Sequence, residues 1–538
     1  MTNEIKRLFA WWRIPSLRKT LLATIGVVFG LLTGFLAGPG GQGSGVLSTV
    51  LIMAFFWISE CFPLALTALI PIASYPLIGI TGASETAHYY YDSITIVQLG
   101  GFLVAIAVER WKLHQRIALA AISFVKAKLL LLVIASLFVT FILSMWISNT
   151  ATTLLLYPNT MAIIHQIEST MGKASSQPTA RSLLLSISWG ASLGGVSTLV
   201  GTPTNLLFVR IYKQMFPQEA EVSFGSWLLF SLPTTFLATL LCGVLLICAI
   251  LIPQWTQYLA LPKISVEEVS VLIVLGILAI CWCFRGDLHF GSSFTVRGWA
   301  GLIGNKDMID DAVPALLIPS ILFLLPARSV NLNKPSTESK DEDPSSSSSS
   351  LKSSDSSHGN GSASLKWDTT ILDSSVWKEI PWDILVLLGA GIAMASGITK
   401  SGLSAWLVTK ISVLHAVPLF IAVLLSTLIC GLLTQVMMNV SCCSIMLPVL
   451  GSVAVGMGVH PLQLMLPATC GCSLAFAFPI AAASNVILLS SRRLTTWHFI
   501  STGSLAVLGC VVIFTAASIW WLPIVFPLNP IASSSASA

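Results

Sequence analysis

Apolar residues run along this chain in long blocks, and short polar interruptions fall inside several blocks as well as between them. The first block, roughly 20–38, ends at Gly38-Pro39-Gly40-Gly41, a turn signal that stops a helix. About twenty apolar residues cross a bilayer core as a helix, so this block reads as a span. Residues 46–80 are too long for one straight span and hold Pro63, Pro71 and Pro76, which predicts two packed or broken helices. A polar bridge from Glu85 to Asp92 leads to a span at about 94–109. Glu109-Arg110-Trp111-Lys112 through Arg116 then reads as an amphipathic cytoplasmic interface. Further spans are expected near 226–252, 266–284 and 312–327, the last two separated by a loop holding Asp307, Asp310 and Asp311.

Two stretches break this rhythm. Residues 128–165 hold two short apolar halves around Ser148-Asn149-Thr150, and residues 182–212, rich in Gly and Ser, break at Gly201-Thr202-Pro203. In lipid, a cluster of hydroxyls and amides is costly unless protein, water or ligand satisfies it. Neither half of 128–165 spans comfortably alone, which favours a re-entrant hairpin. The layout then recurs. Pro381-Trp382-Asp383 opens a Gly-rich span to about Gly397, an interrupted hairpin covers about 413–455, residues 462–491 mirror 182–212, and a last span covers about 500–526. Asn149 to Pro158 is the same step as Asn439 to Pro448; Leu99-Gly100-Gly101 matches Leu388-Gly389-Ala390; Gly201 through Asn205 matches Ala481 through Asn485. Paired, polar-interrupted segments in two halves point to a transporter with internal repeats. Counting spans brings the second hairpin in from the opposite face, so the halves are inverted. The expected fold is an all-α polytopic membrane protein of about 11 transmembrane helices.

Composition excludes other classes. Of 538 residues 55% are hydrophobic and 9% charged, with a mean hydropathy of +0.85, too apolar for a soluble multidomain chain. A net charge of +5 reflects cytoplasmic loops and does not suggest nucleic-acid binding. The eleven cysteines lie in apolar runs and read as small hydrophobes, with neither disulfides nor a transition metal expected. His88, His114, His165, His289, His415, His460 and His498 show no metal-ligand spacing, and no Ser-His-Asp spacing or nucleotide loop suggests an enzyme or a cofactor. Lys6, Arg7, Arg13, Arg18 and Lys19 precede an apolar segment without a cleavage site and hold residues 1–19 in the cytosol. Residues 20–327 then carry the first helix, first repeat and following spans, and 377–527 the second repeat and last span. Between them, the Ser-rich segment 328–376 reads as a disordered cytoplasmic linker, so its Asn360-Gly361-Ser362 sequon is expected to stay unmodified. The tail 528–538 is expected outside. Glu60, an acid near membrane depth, reads mainly as a partner for an Arg or a backbone N–H at a helix break.

Taken in order, Trp57-Ile58-Ser59-Glu60-Cys61-Phe62-Pro63-Leu64, Leu99-Gly100-Gly101-Phe102, Ser148-Asn149-Thr150-Ala151-Thr152-Thr153, Gly201-Thr202-Pro203-Thr204-Asn205 and Pro381-Trp382-Asp383 through Gly391 resemble the divalent anion/sodium symporters. These carry citrate, dicarboxylates or sulfate, and the likeness covers nearly all of residues 20–527 outside the serine linker. The resemblance implies a homodimer with a scaffold and a transport domain that moves as an elevator, symporting a small anion with Na+; the plasma membrane is its expected location.

Sodium wants hard oxygen ligands, which an Asn carbonyl and unwound backbone supply; a carboxylate or sulfate wants hydroxyls, N–H groups and half-helix N-termini. By resemblance, Ser148, Asn149, Gly201 and Asn205 line the first sodium site, and Asn439 and Asn485 the second. Ser148, Asn149, Thr150, Thr202, Asn439 and Val440 would touch the anion. The second half departs from the family pattern: Met438 precedes Asn439, Ser441-Cys442-Cys443 replaces Ala-Thr-Thr, and Ala482 replaces the partner Thr. Thioethers and thiols are soft, so a weakened second sodium site is expected. Di- or tricarboxylates such as citrate or succinate are the leading substrate, sulfate the alternative. An uncoupled exchanger or transport-dead sensor is the reading from another class.

Overall fold

The computed structural model describes residues 15–59, 61–113, 116, 129–219, 221–248, 265–290, 294–303, 308–327, 369–411, 417–526 and 528. Glu60, residues 1–14, Lys126, Lys128, Asp307, His114, His415, the linker through residue 368 and nearly all of the tail lie outside them.

Helices dominate because a chain in lipid must satisfy its backbone from within. In order they are α1 (Pro15–Ala37), α2 (Gly41–Ser59), α3 (Leu64–Ala68), α4 (Ile70–Ile78), α5 (Ala83–His88), α6 (Ser93–Arg110), α7 (Leu129–Ser144), α8 (Asn149–Met171), α9 (Lys173–Ser197) and α10 (Pro203–Met215). There follow α11 (Phe224–Cys248), α12 (Val266–Cys283), α13 (Ala312–Ser320), α14 (Trp382–Lys400), α15 (Leu403–Ile411), α16 (Leu419–Leu433), α17 (Asn439–Met457), α18 (Leu462–Cys472), α19 (Ala483–Leu489) and α20 (Ser504–Trp520). Eight helical stretches among the described residues are long and apolar enough to cross a membrane. Helix α1 starts ahead of the expected residue 20, with Pro15 pre-set for a first turn and Arg18 and Lys19 inside it. The block 46–80 breaks into α2, α3 and α4 rather than two helices. Helix α13 and the 3-10 turn Ile321–Phe323 together stop short of the expected span 312–327. Twelve residues rise only about 18 Å, against a hydrocarbon core of about 30 Å. The Asp-rich loop before it holds a small β-hairpin, Leu288–Phe290 with Phe294–Val296. A second strand pair, Pro326–Ala327 with Thr369–Thr370, holds the two ends of the linker side by side.

The two interrupted stretches fold as helix–turn–helix units. Helices α7 and α16 have 16 and 15 residues, about 24 Å and 23 Å of rise, too short to cross alone. Each hairpin packs on the first piece of the broken helix that follows it, α7–α8 on α9 and α16–α17 on α18. Each second arm also crosses to the other half: α8 against α19, and α17 against α10. This reciprocity puts the two breaks in one place.

Ion pairs tie the same crossings at their ends. Glu168 of α8 takes both guanidinium nitrogens of Arg493, which follows α19, one at 2.9 Å. In the corresponding place, Glu219 after α10 meets His460, before α18, at 3.4 Å. Elsewhere Arg110, at the end of α6, binds Asp373 at 3.0 Å and Glu379 at 2.8 Å, anchoring the chain as it returns from the linker. The Ser375 hydroxyl and the Arg110 guanidinium hold the Asp373 carboxyl down at about 2. The Glu168 and Arg493 side chains are only 5% and 14% exposed, so removing one strands the other. Glu168→Ala is therefore expected to destabilise the protein by about 3–5 kcal/mol, and Glu168→Ala with Arg493→Met to recover part of the loss. Thermal unfolding in detergent measures this; an unchanged midpoint for Glu168→Ala refutes it.

Candidate functional site

The first hairpin turn is closed by side chains. Ser144, the last residue of α7, donates its hydroxyl to Asn149 Oδ1 at 2.8 Å. Ser148 caps α8 by accepting the Ala151 N–H at 3.4 Å. Asn149 is half-buried and Thr150 exposed, so the tip presents an amide, hydroxyls and a helix N-terminus together.

Opposite lies the break between α9 and α10. A β-carbon on Gly195 would sit 2.3 Å from Asn149 Oδ1 and 3.2 Å from the Gly201 carbonyl oxygen. One on Gly201 would sit 2.6 Å from the Gly195 carbonyl and 2.9 Å from that of Ser144. Two missing side chains thus leave the Asn149 carboxamide and the Gly195, Gly201 and Ser144 carbonyl oxygens gathered at the break, a donor set for a small hard cation. The end of α9 is held for this purpose by its neighbours. Trp227 Nε1 and Ser231 Oγ of α11 donate to the Val196 and Ser197 carbonyls at 3.0 and 2.6 Å. Thr198 Oγ1 donates to Met145 O at 2.5 Å, binding the break to the hairpin turn.

Asn205 decides what the break can hold. Its Nδ2 donates to the carbonyls of Gly195, Val196 and Thr198 at 3.0, 3.2 and 2.7 Å, which fixes the orientation of the amide. Its Oδ1 is left fully buried with no partner. A buried carbonyl without a donor is costly, and a sodium ion is the partner that such an oxygen suits.

The second half copies this frame and fills it. Thr434 donates to Asn439 Oδ1 at 2.8 Å, the counterpart of Ser144 on Asn149. Asn485 Nδ2 donates to Ala475 and Phe478 at 2.8 and 3.0 Å, ten and seven residues back, the same offsets as Asn205 to Gly195 and Thr198. But Asn485 Oδ1 accepts the Ser188 hydroxyl at 2.5 Å. Where Ser188 stands in the first half, the step from Asn205 to Asn485 places Ala468, which has no donor. Gly195 and Gly201 likewise become Ala475 and Ala481. Gln435 adds a clamp, donating to Leu474 O at 2.6 Å and accepting the Ala477 N–H at 2.9 Å.

The structure thus brings Asn149, Gly201 and Asn205 round one break, and Asn439 and Asn485 round the other. The halves touch through Thr204 and Ser473 hydroxyls 3.1 Å apart, and Thr204 also donates to Thr202 at 3.2 Å. Val440 is buried just inside the α17 N-terminus, and Met438 is exposed at its cap. Sequence reasoning passed over Ser144, Thr434, Gly195 and Ser188. The first two carried a signal, a hydroxyl five residues before each Asn; Ser188 carried none. A cavity of about 890 Å³ reaches the first break at Leu199 and Leu206 and is also lined by Asp92, Arg210 and Lys213. Arg210 joins Asp92 at 2.9 Å and the Tyr89 carbonyl at 2.6 Å, linking α10 to the α5–α6 corner.

Residues 19–526 match the family described as "Sodium:sulfate symporter transmembrane region". The Na(+)/citrate cotransporter of Rattus norvegicus is 29% identical over 533 residues, covering 88% of this chain and 89% of its own. Solute carrier family 13 member 2 of Mus musculus is 32% identical over 546 residues, covering 88% of each chain. The Na(+)/dicarboxylate cotransporter 3 of Homo sapiens is 29% identical over 610 residues, covering 97% of this chain and 94% of its own. With a match along nearly its whole length, this multi-pass membrane protein belongs to the sodium:sulfate symporter family, whose members couple anion transport to sodium.

Proposed function

We propose that the chain is a symporter of Na+ with di- or tricarboxylates such as citrate or succinate, in the plasma membrane, working as a homodimeric elevator with its N-terminus cytoplasmic and its C-terminal tail outside. Sodium is cargo here, and no resident cofactor takes part. The observation that carries the reading is the unpartnered Asn205 oxygen, buried beside the Gly195–Gly201 cradle that holds Asn149. The carboxylate preference rests on relatives named for citrate and dicarboxylates. Ser148, Asn149, Thr150 and Thr202 would meet the anion on the first side, and Asn439 and the N-terminus of α17 at Val440 on the second.

Within this reading the halves differ in sodium binding. The closed Asn485 oxygen and the added methyls of Ala475 and Ala481 oppose a strong second site, so sodium dependence should be shallow. The test is uptake of labelled citrate, succinate and sulfate into vesicles, with sodium present or replaced by choline. Saturable, sodium-dependent citrate or succinate uptake with a Hill coefficient below about 2 is expected, since one strong site gives little cooperativity. Sulfate uptake untouched by succinate would reverse the substrate assignment. Flux that ignores sodium would point to an exchanger, motivated by the same closed second half, and a steep multi-ion dependence would count against the asymmetry.

A further inference from the structure

Behind the second hairpin turn, Cys430 of α16, Cys442 of α17 and Cys472 of α18 converge, their sulfurs all within 4.8 Å of one another and fully buried. The Cys472 and Cys442 sulfurs are 3.6 Å apart. The neighbouring Cys443 thiol instead donates to the Thr204 carbonyl at 3.6 Å. A tetrahedral ion with metal–sulfur bonds of about 2.3 Å needs sulfurs about 3.8 Å apart, so the three require only small rotamer shifts to share an ion.

The other half shows that this chemistry is particular to one side. The step from Asn149 to Asn439 matches Cys430, Cys442 and Cys443 to Thr140, Thr152 and Thr153, and the step from Asn205 to Asn485 matches Cys472 to Ser192. Four hydroxyls in the first half are four thiols in the second. In the first half two of these hydroxyls bond along their own helix, Thr140 to Ser136 O at 2.6 Å and Thr153 to Asn149 O at 2.9 Å, and Thr152 reaches the Ile147 carbonyl in the hairpin turn at 3.5 Å. The thiols have only long contacts, such as Cys442 to the Cys430 carbonyl at 3.7 Å. Exchanging hard oxygens for soft sulfurs at one spot changes which cation the spot prefers.

We propose that Cys430, Cys442 and Cys472 bind a soft, thiophilic metal ion of the Zn2+, Cd2+ or Cu+ class. Binding replaces the thiol protons, which leave to solvent, with no change of oxidation state. The site touches the hairpin tip: the Thr434 hydroxyl lies 2.6 Å from the Cys472 carbonyl and 2.8 Å from Asn439 Oδ1. An ion there ties both hairpin arms to the first piece of the broken helix, freezing the turn that carries Asn439.

The full-length chain, purified in detergent with a non-thiol reductant, is titrated with Cd2+ while the ultraviolet thiolate-to-cadmium charge-transfer band is followed. This readout needs no transport, so it stands apart from the symport proposal. The expected result is a band saturating at one Cd2+ per chain, competed by Zn2+ and weakened at least tenfold in both Cys442→Thr and Cys472→Ser. Those variants restore the hydroxyls found in the other half, and an unfolding midpoint close to wild type verifies that they fold. Cys248→Ser, at an exposed thiol, should leave the band intact. No saturable band, a band that survives both variants, or one lost in Cys248→Ser overturns the proposal. A signal that only oxidants produce and reductant abolishes also overturns it, as a disulfide.

Discussion

Gly195→Val is expected to abolish sodium-driven uptake, and Gly195→Ala to raise the sodium concentration for half-maximal uptake on the order of tenfold, the effect of losing about 1.4 kcal/mol of binding. The new methyl would lie 2.3 Å from Asn149 Oδ1, closer than real carbon and oxygen atoms approach, so the carboxamide must turn. Turning it breaks the 2.8 Å bond from Ser144 that closes the hairpin and removes the oxygen from the cradle. The backbone of α9 also cannot retreat, because Trp227 and Ser231 hold its last carbonyls. In the second half the Ser188 hydroxyl still occupies Asn485 Oδ1 when the Ala475 methyl is removed, so Ala475→Gly is expected to change sodium dependence little. Sodium-activation curves in vesicles, normalised to the amount of transporter, test the pair. Gly195→Ala with wild-type sodium affinity would remove the cradle from the site.

The second large effect separates two asparagines that look alike. Asn205→Ala removes the donor for three carbonyls and a buried carboxamide oxygen that has no partner. Uptake should fall on the order of 100-fold, about 2.8 kcal/mol in coupling, with a stability cost of about 1–3 kcal/mol for the stranded carbonyls. Asn485→Ala strands two carbonyls and the Ser188 hydroxyl, so it should cost comparable stability. Its oxygen is already occupied, and sodium affinity should stay near wild type. Asn205→Asp sharpens the contrast, since it keeps an oxygen but loses both amide donors and adds a charge. The readouts are unfolding midpoint and sodium activation, taken on the same preparations. Equal losses of sodium affinity in both alanine variants would show that the two sites act alike.

Much of the site was legible because its signals are local. Asn149 and Asn439 stood out as amides within apolar runs, and Gly201-Thr202-Pro203 announced a break by its turn chemistry. Where local length misled, as at 312–327, prolines at 314 and 319 and the strand pair closing the linker shortened the helix. Ser144 and Thr434 were within reach of the repeat alignment. Gly195 was not, for nothing nearby says that one glycine among several faces Asn149.

The sequence by itself determined that this is a helical membrane protein with two matched, interrupted halves, because apolar length and the backbone chemistry of Pro, Gly and Asn act over a few residues. Only the tertiary structure decided which asparagine keeps an open oxygen. The donor that closes Asn485 stands 297 residues away on the other half. The same holds for the three thiols, which come from three helices and meet only where a hairpin folds back onto the helix after it.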